Sequence, residues 1–166
     1  MARRVFFSFH YERDIWRANV IRNSWLTHPH REVAGFWDAS LWEDADWKGR
    51  RALQKMIDSA LDSTSVTAVL IGAETSEREY VHYEISESYQ RAKGLVGIYI
   101  HKIADKTGRS DWKGANPFAK FTDSGNGDRL SDLFSTYDWV DDDGYHNFGD
   151  WVEEAARAAA RYRRGA

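Results

Sequence analysis

The chain has no cysteine, only two prolines and two methionines, and no apolar run long enough to span a bilayer. Without thiols there can be no disulfide, no thiolate nucleophile and no cysteine-ligated zinc, and the composition suits a reducing cytoplasm. Phosphate loops are missing as well. Neither Gly-x-Gly-x-x-Gly nor Gly-Lys-Ser/Thr follows the first apolar run, which disfavours a dinucleotide oxidoreductase of the usual kind. Acids do not cluster after that run, where SFHY stands, and Gly72 rather than Asp closes the third, so a phospho-acceptor receiver is disfavoured too. A formal net charge of -3 offers no electrostatic case for nucleic acid or an anionic membrane as partner. The opening MARRVFFSFHYERD turns polar too soon for a secretory signal, so a cytoplasmic location is expected.

What is present is the material of one folded domain over residues 1–166, with hydrophobic residues at 42% and charged residues at 30%. RVFFSF at 4–9 predicts a buried first strand. Ile15, Trp16, Val20, Ile21 and Trp25 recur at helical spacing after Asp14, a candidate cap, and Pro29 ends that helix. HPHREVA then reads as a loop and GFWDAS as a short second strand, followed by the Trp-rich LWEDADWKG. A second helix is expected over 48–61, a strand buried on both faces over 63–72, a third helix over 78–93 closed by Gly94, and another buried strand over 95–100. Residues 101–133 break the rhythm as an irregular insertion; YDWV predicts a fifth strand, and 145–164 a closing helix rich in Ala. This alternation predicts an α/β fold, an open doubly wound parallel sheet of about five strands with helices on both faces.

In such sheets ligands gather at the carboxyl ends of the strands, where strand order reverses. The rule selects Ser8, Phe9, His10 and Tyr11 after the first strand, Asp38 and Trp42 after the second, and the helix start EYVHYEIS after the third. Glu84 stands out there, set among Tyr80, Val81, Tyr83 and Ile85, while Glu87 reads as exposed and His82 as a surface residue. An arbitrary helix glutamate usually meets solvent. Read as partly exposed, Glu84 predicts that Glu84→Gln leaves stability within about 1 kcal/mol. His28 and His30 have His-x-His spacing without a third ligand nearby in sequence, and no metal site is expected. The eight Trp include several in polar contexts, which suits a pocket that stacks a flat ligand.

VFFSF, GFWDASLWEDA, IDSALDSTSVTAVLIG and YVHYEI, in that order over about residues 3–100, resemble the TIR domain family. RRVFFSFHYERD, DASLWEDA, GANPF and YDWVDDDGYHNFGDWV are similar, to about residue 152, to the TIR-like subunits of Thoeris anti-phage defence, apart from a shortened insertion between Phe118 and Leu133 and an Ala/Arg tail. The resemblance implies a flavodoxin-like, TIR-like fold and an enzyme that cleaves NAD, as substrate rather than cofactor, releasing nicotinamide. It further implies a cyclic ADP-ribose isomer as product, acting on a separate effector protein. By position in YVHYEI, Glu84 takes the place of the family's catalytic glutamate. Phe9, Tyr11 and Trp42 become candidate rings of the pocket, and Ser8 and Asp38 candidate partners of ribose hydroxyls, with His10 and Tyr80 also at the substrate. Self-association or a phage-derived trigger is a further implication. Two alternatives stay open: plain NAD hydrolysis at the same site, and a non-catalytic TIR adaptor using Trp42 and Trp47 as interface anchors.

Overall fold

Strands form where the chain is apolar without alternation. VTAVLI, buried at every position, becomes the central strand β3 (Val66–Ile71), between β1 (Arg3–Ser8) and β4 (Gly94–Tyr99). The computed structural model describes residues 3–36 and 47–164. Among these, five parallel strands lie in the order β2-β1-β3-β4-β5, with β2 at Arg31–Ala34 and β5 at Thr136–Asp138 on the two edges. The order reverses between β1 and β3, which pair from Val5↔Val66 to Ser8↔Val69.

The period of two along each strand sends neighbouring side chains to opposite faces. Val5 and Phe7, Ala68 and Leu70, Val96 and Ile98 pack against Ala18, Ile21 and Trp25 of α1 (Tyr11–Leu26) and Phe148, Trp151 and Val152 of the C-terminal helix. That last helix, α5, runs Gly144–Arg164. On the other face, Phe6 meets Ile57 and Leu61 of α2 (Arg50–Asp62), and Val69 and Ile71 meet Val81 and Ile85 of α3 (Glu79–Gln90). Helices cover both faces, so the fold is the open, doubly wound α/β arrangement with flavodoxin-like strand order. Between β4 and β5 the chain leaves the sheet, makes a 3₁₀ turn at Pro117–Lys120 and the one-turn helix α4 (Leu130–Leu133), and returns; Phe118, Leu130 and Phe134 anchor it on the α3 side of the core.

Four local readings of the sequence are corrected. The second strand is REVA: Val33 pairs with Val5, and GFWDAS does not continue it in its described part, where at Gly35 the backbone turns to φ +73 against the Phe6 ring, while residues 37–40 lie outside the described residues. Asp14 is not the cap of α1; the His10 side chain accepts the Arg13 N–H at 3.4 Å, and Asp14 lies buried in the first turn. The third helix closes before Gly94. Its end is a Schellman motif, with Ala92 at φ 56 and the Lys93 and Ala92 N–H groups donating to the carbonyls of Ser88 and Tyr89. Gly94 begins β4 instead, where any Cβ would strike the Ala155 carbonyl oxygen at 2.6 Å. Of YDWV, only Tyr137 and Asp138 lie in β5.

Candidate active site

The loop that leaves β3 sets the start of α3. Thr75 Oγ1 accepts the Gly72 N–H at 2.8 Å and donates to the Leu70 carbonyl at 3.3 Å, folding the chain back over the strand end. Helical period then aims Val81, Ile85 and Ser88 at the sheet. Glu84 falls on that same inward stripe, so a carboxyl occupies a place where packing calls for an apolar side chain.

Glu84 is 4% exposed. Partial exposure, expected from the sequence, is therefore overturned by the helix phase. Burial pushes its pKa up to about 8, and the Ser8 hydroxyl, beneath it at the end of β1, draws it back down. Ser8 is fully buried, and neither Ser8 Oγ nor Glu84 Oε2 makes a well-formed hydrogen bond. Two buried polar atoms left open at one place are costly, on the order of 1–3 kcal/mol each. Such an arrangement is ready to receive hydroxyl or amide groups from a ligand, at the strand ends beside the reversal of order.

The other sequence candidates divide among three places. Tyr80 lies on Glu84's side of the sheet, packed on the cluster of Phe6, Ala34, Ile57 and Leu61. Phe9 and Tyr11 form an aromatic group with Phe36, at ring separations of 6.2 Å for Phe9–Tyr11 and 5.1 Å for Phe9–Phe36, and Phe9 and Phe36 pack against the core on the α1 face. His10 is occupied as the cap of α1; burial, then Arg78, lowers its pKa, with Glu74 Oε2 3.8 Å away. Asp38 and Trp42 lie outside the described residues. Among the described residues no group of three or more His, Asp or Glu is placed to hold a metal ion, and no helix is long and apolar enough to cross a membrane.

Sequence reasoning missed the charged network around Asp14. Its carboxyl is 1% exposed, lies against Gly72 and 3.6 Å from Arg17, and has its pKa pushed up to about 6 by burial against the opposing pull of Arg17. Arg17 donates to the carbonyls of Ile103 and Arg109 at 2.7 and 2.9 Å, and Arg13 grips Asp111, so α1 straps the start of the insertion over the strand ends. Apart from the i,i+3 spacing of Asp14 and Arg17, no local signal marks these residues, because their other partners come from distant parts of the chain. His82 is also not a free surface residue: its Nε2 and the Lys120 ammonium both donate to the Ser76 carbonyl, each at 2.6 Å.

Residues 6–105 match the family model described as Thoeris protein ThsB, TIR-like domain. A Bacillus cereus (strain MSX-D12) protein, named as a candidate cyclic ADP-D-ribose synthase, ThsB1, is 38% identical over 191 aligned positions, which cover 92% of this chain and 100% of that protein. The matched family segment runs from β1 through β4 and includes Ser8, Tyr80 and Glu84.

Proposed function

This chain belongs to the Thoeris ThsB family of TIR-like domains, and from that premise we propose that it is an NAD-cleaving enzyme of anti-phage defence, releasing nicotinamide and closing the remainder into a cyclic ADP-ribose isomer. The observation that carries the reading is Glu84, a carboxyl sealed from water beside the Ser8 hydroxyl where strand order reverses. The reading also draws on the ThsB1 relative, whose name is that of a cyclic ADP-D-ribose synthase candidate.

Burial, which pushes the Glu84 pKa up to about 8, favours the protonated carboxyl at neutral pH. NAD brings a cationic nicotinamide ribose against it, and a nearby positive charge lowers a carboxyl pKa, so substrate entry favours the carboxylate. The bond from C1′ to the nicotinamide nitrogen then breaks. Its electron pair leaves with nicotinamide as a neutral ring, so no strong general acid is needed. The oxocarbenium-like carbon left behind is stabilised by the Glu84 carboxylate, whose interaction is strong because the site excludes water. A hydroxyl of the same molecule adds to C1′ and passes its proton to the Glu84 carboxylate, closing the ring and returning the carboxyl to its protonated form; low access of water favours this over hydrolysis. Ser8 and Tyr80 serve the substrate from the Glu84 side, Phe9, Tyr11 and His10 from the end of β1, and Asp38 and Trp42 are further substrate-binding residues, from the sequence that follows β2. The enzyme needs no metal or other cofactor, acts in the cytoplasm as a single TIR-like unit, and passes its product to a separate effector protein. Self-association or a phage-derived trigger switches it on.

Incubation with NAD, with nicotinamide followed by chromatography and the product by mass spectrometry, tests this. Nicotinamide and a product one water lighter than ADP-ribose are expected from wild type and not from Glu84→Gln. Equal behaviour of the two proteins, or no nicotinamide from either purified protein or extracts of infected cells, overturns it. A non-catalytic adaptor is favoured by Trp47, exposed at 89%; on that reading defence survives Glu84→Gln.

A further inference from the structure

Buried hydroxyls rarely interrupt a strand as apolar as β3, yet Thr67 does, and it is fully buried. Its Oγ1 lies 2.7 Å from the Oγ of Ser88, which is itself fully buried on α3. Ser88 Oγ in turn donates to the backbone carbonyl of Glu84 at 2.6 Å. A serine hydroxyl has one hydrogen. Since Ser88 gives it to Glu84, it must accept from Thr67, and the chain of bonds has a single direction, from strand through Ser88 to the carbonyl of Glu84.

The placement is specific. Thr67 pairs with Phe6, and Ser8 pairs with Val69, so Thr67 stands on the same face as Ser8, one same-face step earlier along the adjoining strand. The helical turn from Glu84 to Ser88 is thereby tied to the sheet next to the hydroxyl that the Glu84 carboxyl faces. A serine that bonds back to the carbonyl one turn earlier often alters the local course of its helix, and in α3 that carbonyl is the one of Glu84. A Val and Ala pair would fill the space without any polar group, so packing alone does not call for these hydroxyls.

We infer that Thr67 and Ser88 are positioning residues for Glu84, setting how its turn of helix sits over Ser8. The inference rests on the reading of Glu84 as the group that meets NAD. Thr67→Val and Ser88→Ala each lower kcat roughly tenfold with KM near the wild-type value, as expected when a reacting group is misplaced by a fraction of an ångström. Thr67→Ser, which keeps the hydroxyl, keeps the rate. Ser88→Ala strands the buried Thr67 hydroxyl and lowers thermal stability, Thr67→Val leaves Ser88 its bond to the Glu84 carbonyl and costs less, and Thr67→Val with Ser88→Ala removes both partners and recovers what Ser88→Ala loses.

The double variant separates the two roles, since a purely structural pair recovers its rate along with its stability and a positioning pair does not. Wild-type kcat in the double variant overturns the inference. Glu84→Gln run in parallel keeps the underlying reading distinct: an inactive Glu84→Gln beside a fully active double variant sinks only the positioning role, while an active Glu84→Gln sinks the reading of the site. A second readout needs no turnover. The titration midpoint of Glu84, taken from the infrared carboxyl band by difference against Glu84→Gln, moves in the double variant and stays in Thr67→Ser; an unmoved midpoint in the double variant also overturns the inference.

Discussion

Replacing Glu84 by glutamine should make the protein more stable in alkali and less stable in acid, and the size of the crossover follows from its burial. In the unfolded chain Glu84 releases its proton near pH 4.5; in the folded one it does so at about 8. Between those values folding takes up a proton, so wild-type stability falls as pH rises and levels off once both states are ionised. At about 1.4 kcal/mol per pH unit, the interval from 4.5 to about 8 amounts to about 5 kcal/mol. Glutamine has the same shape and does not ionise, so Glu84→Gln lacks this loss. Its amide brings buried donors without partners, a pH-independent cost of roughly 1–3 kcal/mol. The variant is therefore the weaker protein at pH 4, and at pH 9 it is the stronger one by a few kcal/mol. Urea unfolding of both proteins at pH 4, 6, 7.5 and 9 reads the difference directly, since every other titrating group is common to both and cancels. A difference that stays flat across this range refutes the argument that burial holds the proton on Glu84.

Ser8→Ala removes the hydroxyl that opposes this shift, so the Glu84 midpoint moves to still higher pH and the rising limb of kcat/KM for NAD moves with it. Gly72→Ala places a methyl where the nearest atom, Asp14 Oδ2, would be 2.1 Å away. Asp14 is too buried to swing aside, so stability in denaturant falls by about 1–3 kcal/mol, and Asp14→Ala in the same chain recovers part of the loss. Ala92→Gly relieves a left-handed backbone at the end of α3 and raises stability by about 0.5–1 kcal/mol in thermal or urea unfolding.

The elements that sequence reveals well are those whose own pattern settles their burial. VTAVLI can only be a central strand, and Leu53, Ile57 and Leu61 can only face inward on α2. Glu84 was legible for the same reason, as an acid among Tyr80, Val81, Tyr83 and Ile85, although its full burial depends on the phase of the helix against Ser8. β2 was hidden because an edge strand is paired on one side only. REVA carries two charges, Glu32 turned to solvent and Arg31 laid over the Trp25 ring, and looks like loop, while the aromatic GFW beside it looks like strand. Asp14 has the chemistry of a cap and the position of a first-turn residue, but His10 takes the capping role, and Gly72, far along the chain, leaves the space that Asp14 fills. Thr67 and Ser88 belong to the same class, ordinary residues whose meaning comes from tertiary contact.

Arg17 and the residues it holds are bound by their chemistry to different degrees. Its guanidinium grips the main-chain oxygens of residues 103 and 109 and no side-chain amide or hydroxyl there. Every amino acid supplies a carbonyl, so the identity of residue 109, which is exposed, is nearly free, while that of residue 17 is not. Drift at position 109 can thus run ahead of drift at position 17, whereas Asp105 and Asp111, whose carboxylates face Arg17 and Arg13, are held, and a tag or dye for following this rim belongs at position 109.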